Sequence, residues 1–155
     1  MACVPNDEVE VSRVIQVSSS WSARFLGVPW KLAGRDHNGL DCWGLLWLAY
    51  RDVLGVKLPG YIDETIDDPE REEIARLVGG ERSQPCWAPV ERGSEREFDM
   101  VVIRRARIES HIGVVVEASR MLHVVEGHEV CVERFDAGRW ANKVAGIYRH
   151  RDVNI

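Results

Sequence analysis

The sequence predicts an α+β domain, with one buried helix in the first third packed on an antiparallel sheet of about five strands drawn from the last third. Three observations lead there. Residues 43–54 are apolar on nearly every side (Trp43, Leu45, Leu46, Trp47, Leu48, Ala49, Tyr50, Val53, Leu54) and poor in β-branched residues, as a helix buried all round requires. From Phe98 onward the pattern changes to short runs rich in valine and isoleucine. Helices come first and strands afterward, which is the order of an α+β chain rather than an alternating one.

The elements follow in order along 155 residues, a length that suits one domain with its own core. Residues 1–17 are polar and weakly patterned, and read as a loose arm or a short helix. Ser18, Ser19 and Ser20 offer N-caps for a short helix from Trp21 to Leu26, closed by Gly27. Val28-Pro29-Trp30 is extended, because the residue before a proline avoids the helical region. Residues 31–40 form a loop with Gly34, Asp36, Asn38 and Gly39. The buried helix runs over 41–54, with Asp41 as its N-cap and Gly55 as its stop. Leu58-Pro59-Gly60-Tyr61 is a turn. Asp68 and Pro69 open a second, surface helix that Gly79-Gly80 closes. Residues 81–97 are a long charged loop containing Pro85, Trp87 and Pro89. Strands are expected at 100–103, 111–116, 122–125, 130–132 and 144–148.

Composition narrows the function. A chain 45% hydrophobic and 29% charged is an ordinary soluble globular protein. Its net charge of −5 speaks against a nucleic-acid surface. Arg104, Arg105 and Arg107 read as a solvated loop between two strands. No apolar run has the length of a membrane span. The first 20 residues have neither a basic n-region nor an apolar h-region, so synthesis in the cytoplasm without a signal peptide is expected. Cys3, Cys42, Cys86 and Cys131 are widely scattered with no C-x-x-C pair, which indicates neither a zinc site nor a disulfide framework. No metal or cofactor is expected. Of six tryptophans, Trp21, Trp30, Trp43 and Trp47 gather around the buried helix as core or groove wall.

Cys42 lies in the first turn of that helix. There a thiol meets unpaired N–H groups and the positive end of the helix dipole, and both favour the nucleophilic thiolate. A cysteine in an apolar helix otherwise packs as a small hydrophobe, so chemistry at Cys42 requires a base from elsewhere. His111 opens one apolar strand and His123 lies in the next. A three-residue connection, Glu117-Ala118-Ser119, makes Val116 face Arg120, Gly113 face His123 and His111 face Val125. Both histidines then emerge on one face as diagonal neighbours, roughly 7 Å apart at Cβ, with space left beside them at Gly113. A two- or four-residue connection would separate them onto opposite faces. A histidine pair on the face toward a cysteine helix has the nucleophile, base and orienting group of a thiol hydrolase.

These residues resemble a family. Leu26-Gly27-Val28-Pro29-Trp30, Gly39-Leu40-Asp41-Cys42-Trp43-Gly44-Leu45, Leu54-Gly55-Val56 and Leu58-Pro59 resemble the cysteine half of an NlpC/P60 peptidase. Phe98-Asp99-Met100-Val101, His111-Ile112-Gly113-Val114 and Met121-Leu122-His123 resemble its histidine half. The Asp-Cys-Trp-Gly-Leu form and the ending Gly146-Ile147-Tyr148-Arg149 are similar to the branch encoded by tailed phages and prophages. The resemblance implies a papain-like fold and hydrolysis of peptide bonds in the stem peptides of bacterial peptidoglycan. It implies Cys42 as nucleophile, His111 as general base and His123 as third member, with the Cys42 N–H toward the oxyanion. Asp41, Trp30, Trp43 and Gly113 are the substrate-binding positions it suggests.

Three departures from the family pattern matter. Trp30 stands where a tyrosine is frequent. Trp43 stands where members that recognise a free α-amine carry serine, so only Asp41 of that pair remains. Phe98-Asp99 replaces Gly-Asp and reads as structural. The implied partners are the stem peptide and other tail-tip proteins, with no nucleic acid and no membrane insertion, and the implied location is the phage tail acting on the cell wall. The rival reading is a structural tail-tip or assembly protein whose site is weak or unused. An acyltransferase on the same scaffold would differ in acceptor rather than in triad.

Overall fold

The computed structural model describes residues 21–60, 80, 86–105 and 108–153. The expected arm at 1–17 and the second helix after Asp68 lie outside them. Helix α1, Cys42–Ala49, starts where Asp41 predicts: the Asp41 carboxylate accepts from Gly44 N at 2.7 Å while its carbonyl accepts from Leu45 N at 2.9 Å. Of its eight residues only Trp47 is not buried. The backbone then widens into a π-helical turn, Tyr50–Leu54, and Gly55 ends it at φ +70°, a left-handed conformation that glycine adopts without a Cβ penalty. The expected single helix over 41–54 is thus an α-helix and a π-turn in series. Upstream, residues 21–23 are helical and Gly27 turns the chain at φ +85°.

The sheet has six antiparallel strands among the described residues, in the order β3-β8-β4-β5-β6-β7. They are β3 (Trp87–Pro89), β4 (Met100–Arg105), β5 (Ile108–Glu117), β6 (Arg120–His123), β7 (Cys131–Arg134) and β8 (Val144–His150). The five expected strands are present. β3 is the addition, taken from within the stretch expected as a loop, where Trp87 pairs with His150. Two further short strands, β1 (Arg35–Asp36) and β2 (Gly39–Leu40), make a small hairpin of the expected 31–40 loop. Arg104 and Arg105 belong to β4 rather than to a loop, because strand pairing with Glu109 and Ile108 extends the hairpin through them.

The sheet is covered on both faces, which is why β4 reads as a continuous apolar run. One face (Met100, Val102, Ile112, Val114, Leu122) packs against α1, Trp21 and Phe25. The other (Val101, Ile103, Val115, Met121, Ile147) packs under Phe135 and Trp140, the latter carried by a 3-10 turn, Gly138–Trp140. Phe98-Asp99 is structural, as expected. Phe98 holds φ +74° and its carbonyl accepts the Tyr50 hydroxyl, while Asp99 forms a two-pronged ion pair with Arg149 at 2.8 and 2.9 Å.

Candidate active site

The β5–β6 hairpin decides whether the histidines meet. Its connection is tighter than expected: Glu117 pairs with Arg120 across Ala118 and Ser119, and Ser119 sits at φ +66°. A two-residue tip alone would send His111 and His123 to opposite faces. A register shift between Val115 and Glu117 restores the parity, so Val114 faces Leu122 and Val115 faces Met121, the pairing expected from sequence. His111 Nε2 and His123 Nδ1 therefore share a hydrogen bond of 2.9 Å.

Two parts of the expectation are corrected. The pair does not project from the face that carries the bulk of α1. His111 and His123 have the parity of Val115 and Met121 and lie under Trp140, stacked on His111 at 5.7 Å and edge-on to His123 at 5.3 Å. The reason is alternation: Ile112 and Val114, flanking Gly113, are the residues spent on the helix side. Nor does His111 pair with Val125, because β6 ends at His123. The ladder between β5 and β6 begins only at Val114, leaving β5 without a β6 neighbour where His111 sits. α1 packs against β5, and Cys42 is its first residue. The space expected above Gly113 is filled, since a Cβ there would lie 2.6 Å from Met121 Sδ.

Beyond His123 lies a residue that the sequence reading did not single out. Glu133 Oε1 takes a 2.6 Å contact from His123 Nε2, a 2.9 Å bond from Trp140 Nε1 and a 2.9 Å bond from Arg139 Nη2. The expected strand, 130–132, stops one residue short of it; β7 continues through it, with His123 facing Cys131 and Met121 facing Glu133, so Glu133 shares the histidine face.

Electrostatics then orders the protons. Burial favours protonated Glu133, but the three hydrogen bonds outweigh it and hold the carboxyl at about 2, so it is an acceptor at neutral pH. Burial, first, then the repulsion that a protonated His123 would exert, and then the charges of Arg105 and Arg139 push His111 well below the ordinary histidine range. His123 is also lowered by burial, against the pull of Glu133. Both rings are therefore neutral. Glu133 can only accept, so His123 Nε2 carries a hydrogen and its Nδ1 is an acceptor. His111 must then donate from Nε2, which leaves Nδ1 with the lone pair of a base.

The other expected positions divide. Asp41 is buried, and both its oxygens are engaged by the chain itself: Oδ1 by Gly44 N and by Arg35 Nη1 at 2.8 Å, Oδ2 by Ala33 N at 2.9 Å. Arg35 reaches on to the Gly60 carbonyl at 2.7 and 2.9 Å. Trp43 is buried in the core and its indole N–H donates to the Pro59 carbonyl at 2.7 Å. Trp30 is half-buried, bridged to Leu40, with its backbone N–H on the His128 carbonyl at 2.9 Å.

Comparison with known proteins agrees with this architecture. The sequence model of the NlpC/P60 family matches residues 27–149. Among curated proteins, the chain is 21% identical over 132 residues to the murein DD-endopeptidase MepS/murein LD-carboxypeptidase of Escherichia coli K12, covering 85% of this chain and 58% of the relative. It is 29% identical over 119 residues to tail tip assembly protein K of Escherichia phage N15, covering 73% of this chain and 46% of that protein. The chain thus spans about half the length of these relatives. Among solved structures, an NlpC/P60 family protein from Bacillus cereus superposes with a TM-score of 0.62 at 16% identity, over 88% of this chain and 40% of that one.

Proposed function

The chain belongs to the NlpC/P60 family, and we propose that it is a cysteine peptidase that hydrolyses peptide bonds in peptidoglycan stem peptides, in association with a phage or prophage tail. The observation that carries this reading is the hydrogen-bonded line His111–His123–Glu133, which supports a neutral His111 with Nδ1 as the basic nitrogen. In the proposed reaction His111 Nδ1 takes the Cys42 thiol proton. The sulfur attacks the scissile carbonyl, and the Cys42 N–H at the helix start faces the developing oxyanion. His111 returns the proton to the leaving amine, and water then releases the acyl group from sulfur. His123 and Glu133 hold the ring in the required tautomer and stabilise the transient imidazolium. The murein endopeptidase relative supports the substrate class and the tail tip relative supports the setting.

Asp41 is committed to Arg35, so the reading does not include recognition of a substrate α-amine by Asp41. The test is digestion of purified peptidoglycan, with products followed by mass spectrometry for the wild type and Cys42→Ala. New stem-peptide fragments from the wild type alone are expected.

A second reading, a tail-tip structural protein without catalysis, is favoured by one observation: Cys42 and His111 are only 4% and 2% exposed. It predicts no fragments and a Cys42 inert to a thiol alkylator near neutral pH.

A further inference from the structure

His123, Cys131 and Glu133 come together in a way the sequence spacing conceals. His123 and Cys131 are directly opposed across β6 and β7, and Glu133 lies two residues beyond Cys131 on the same face. One ligand atom from each, an imidazole nitrogen, a thiol sulfur and a carboxylate oxygen, lies within 4.8 Å of the others. In a tetrahedral zinc site with bonds of about 2.0–2.3 Å, ligand atoms sit about 3.3–3.6 Å apart. His123 and Glu133, now 2.6 Å apart, need to part by roughly 0.7 Å, and the widest separation needs to close by at most roughly 1.3 Å. Cys131 and Glu133 are only half-buried, so a cation reaches them from solvent and water can complete its coordination. Set against this, Arg139 and Trp140 hold Glu133 Oε1 and the cation competes with both; the Arg139 side chain is 54% exposed and can swing out.

We infer that His123, Cys131 and Glu133 form a binding site for a thiophilic divalent cation of the zinc class, and that occupancy switches the relay off. The second half rests on the peptidase reading; the first does not. The proton count explains the switch. Coordination takes His123 Nε2, the nitrogen that faces Glu133, and releases the Cys131 thiol proton to solvent. His123 then carries its hydrogen on Nδ1, received from His111 Nε2, while the proton displaced from His123 Nε2 ends on His111 Nδ1. His111 keeps one hydrogen, but on the nitrogen meant to accept the thiol proton. The metal therefore inverts both tautomers without adding charge to either ring.

Two measurements test this. Cobalt(II) is titrated into Cys42→Ala and into Cys42→Ala/Cys131→Ser, reading the thiolate-to-cobalt charge-transfer absorption. One equivalent in the first protein and loss of the band in the second are expected, and a band that survives without Cys131 overturns the site. Zinc is then titrated into peptidoglycan digestions by the wild type and Cys131→Ser. The variant is expected to digest at the wild-type rate in EDTA and to need at least about tenfold more zinc for the same inhibition. Equal sensitivity overturns the switch. A protein that digests nothing removes the peptidase reading and the switch with it, while the cobalt titration still decides the site.

Discussion

Replacing Gly44 with alanine sets helix propensity against packing, and the structure decides the sign. Alanine is favoured over glycine inside a helix by about 0.8–1 kcal/mol, so propensity alone predicts a more stable protein. At Gly44, however, a Cβ would stand 2.0 Å from the Gly34 carbonyl oxygen, 2.9 Å from Arg35 Nη1 and 3.1 Å from Asp41 Oδ1. A relaxed carbon–oxygen contact is about 3.3 Å or more, so backbone must move by roughly 1 Å. That carbonyl is not loose: it accepts from Arg35 Nη1 at 2.8 Å, and the same guanidinium is bound to Asp41 at 2.8 Å and to Gly60 at 2.7 Å. Losing one charge-assisted bond costs about 1.5–3 kcal/mol and weakening the Asp41 cap about 1 kcal/mol, against a gain of about 1 kcal/mol. The net loss is about 1.5–3 kcal/mol, or roughly 3–12 °C in Tm for a chain of this size. Urea and thermal unfolding of Gly44→Ala beside the wild type measure it. A variant equally or more stable would refute the clamp that Arg35 makes between the 34, 41 and 60 backbone regions.

Three further outcomes follow from the same geometry. In the proposed peptidase reaction, Glu133→Gln keeps the shape but replaces an anionic acceptor with a neutral one; a loss of about 1.4 kcal/mol or more at the transition state lowers kcat roughly tenfold or more with KM little changed, and steady-state kinetics giving only a KM effect would remove Glu133 from the proposed relay. Tyr50→Phe strips the hydroxyl that meets the buried Phe98 carbonyl and costs about 1–3 kcal/mol, read as a lower urea midpoint; an unchanged midpoint would mean that another donor reaches that carbonyl. His111 and His123 both titrate below the unfolded histidine value of about 6.5, so the unfolded chain binds more protons near that pH. Their contribution to stability is present above about pH 6.5 and lost as pH falls below it, so the urea midpoint should decline between about pH 7.5 and 5.5. A flat profile would mean that the rings are not buried neutral.

What the sequence by itself determined was local. An apolar run without β-branching, opened by Asp41 and closed by Gly55, specifies a buried helix beginning at Cys42, because capping and propensity act over a few consecutive residues. The expectation that His111 and His123 share a face rested on a three-residue connection. It held although the turn was misjudged, because burial of Val114 and Leu122 on the other face enforces the parity that a bulge then supplies. Tertiary structure alone decided the rest. Which face α1 covers, that Trp140 closes over the histidines, and that Arg35 consumes Asp41 all depend on chain segments meeting through turns and loops. Such contacts are set by the sum of many distant burials rather than by any window of sequence. Glu133 marks the boundary: it lies one residue past the strand expected at 130–132, and its partners at Arg139 and Trp140 arrive on a separate 3-10 turn.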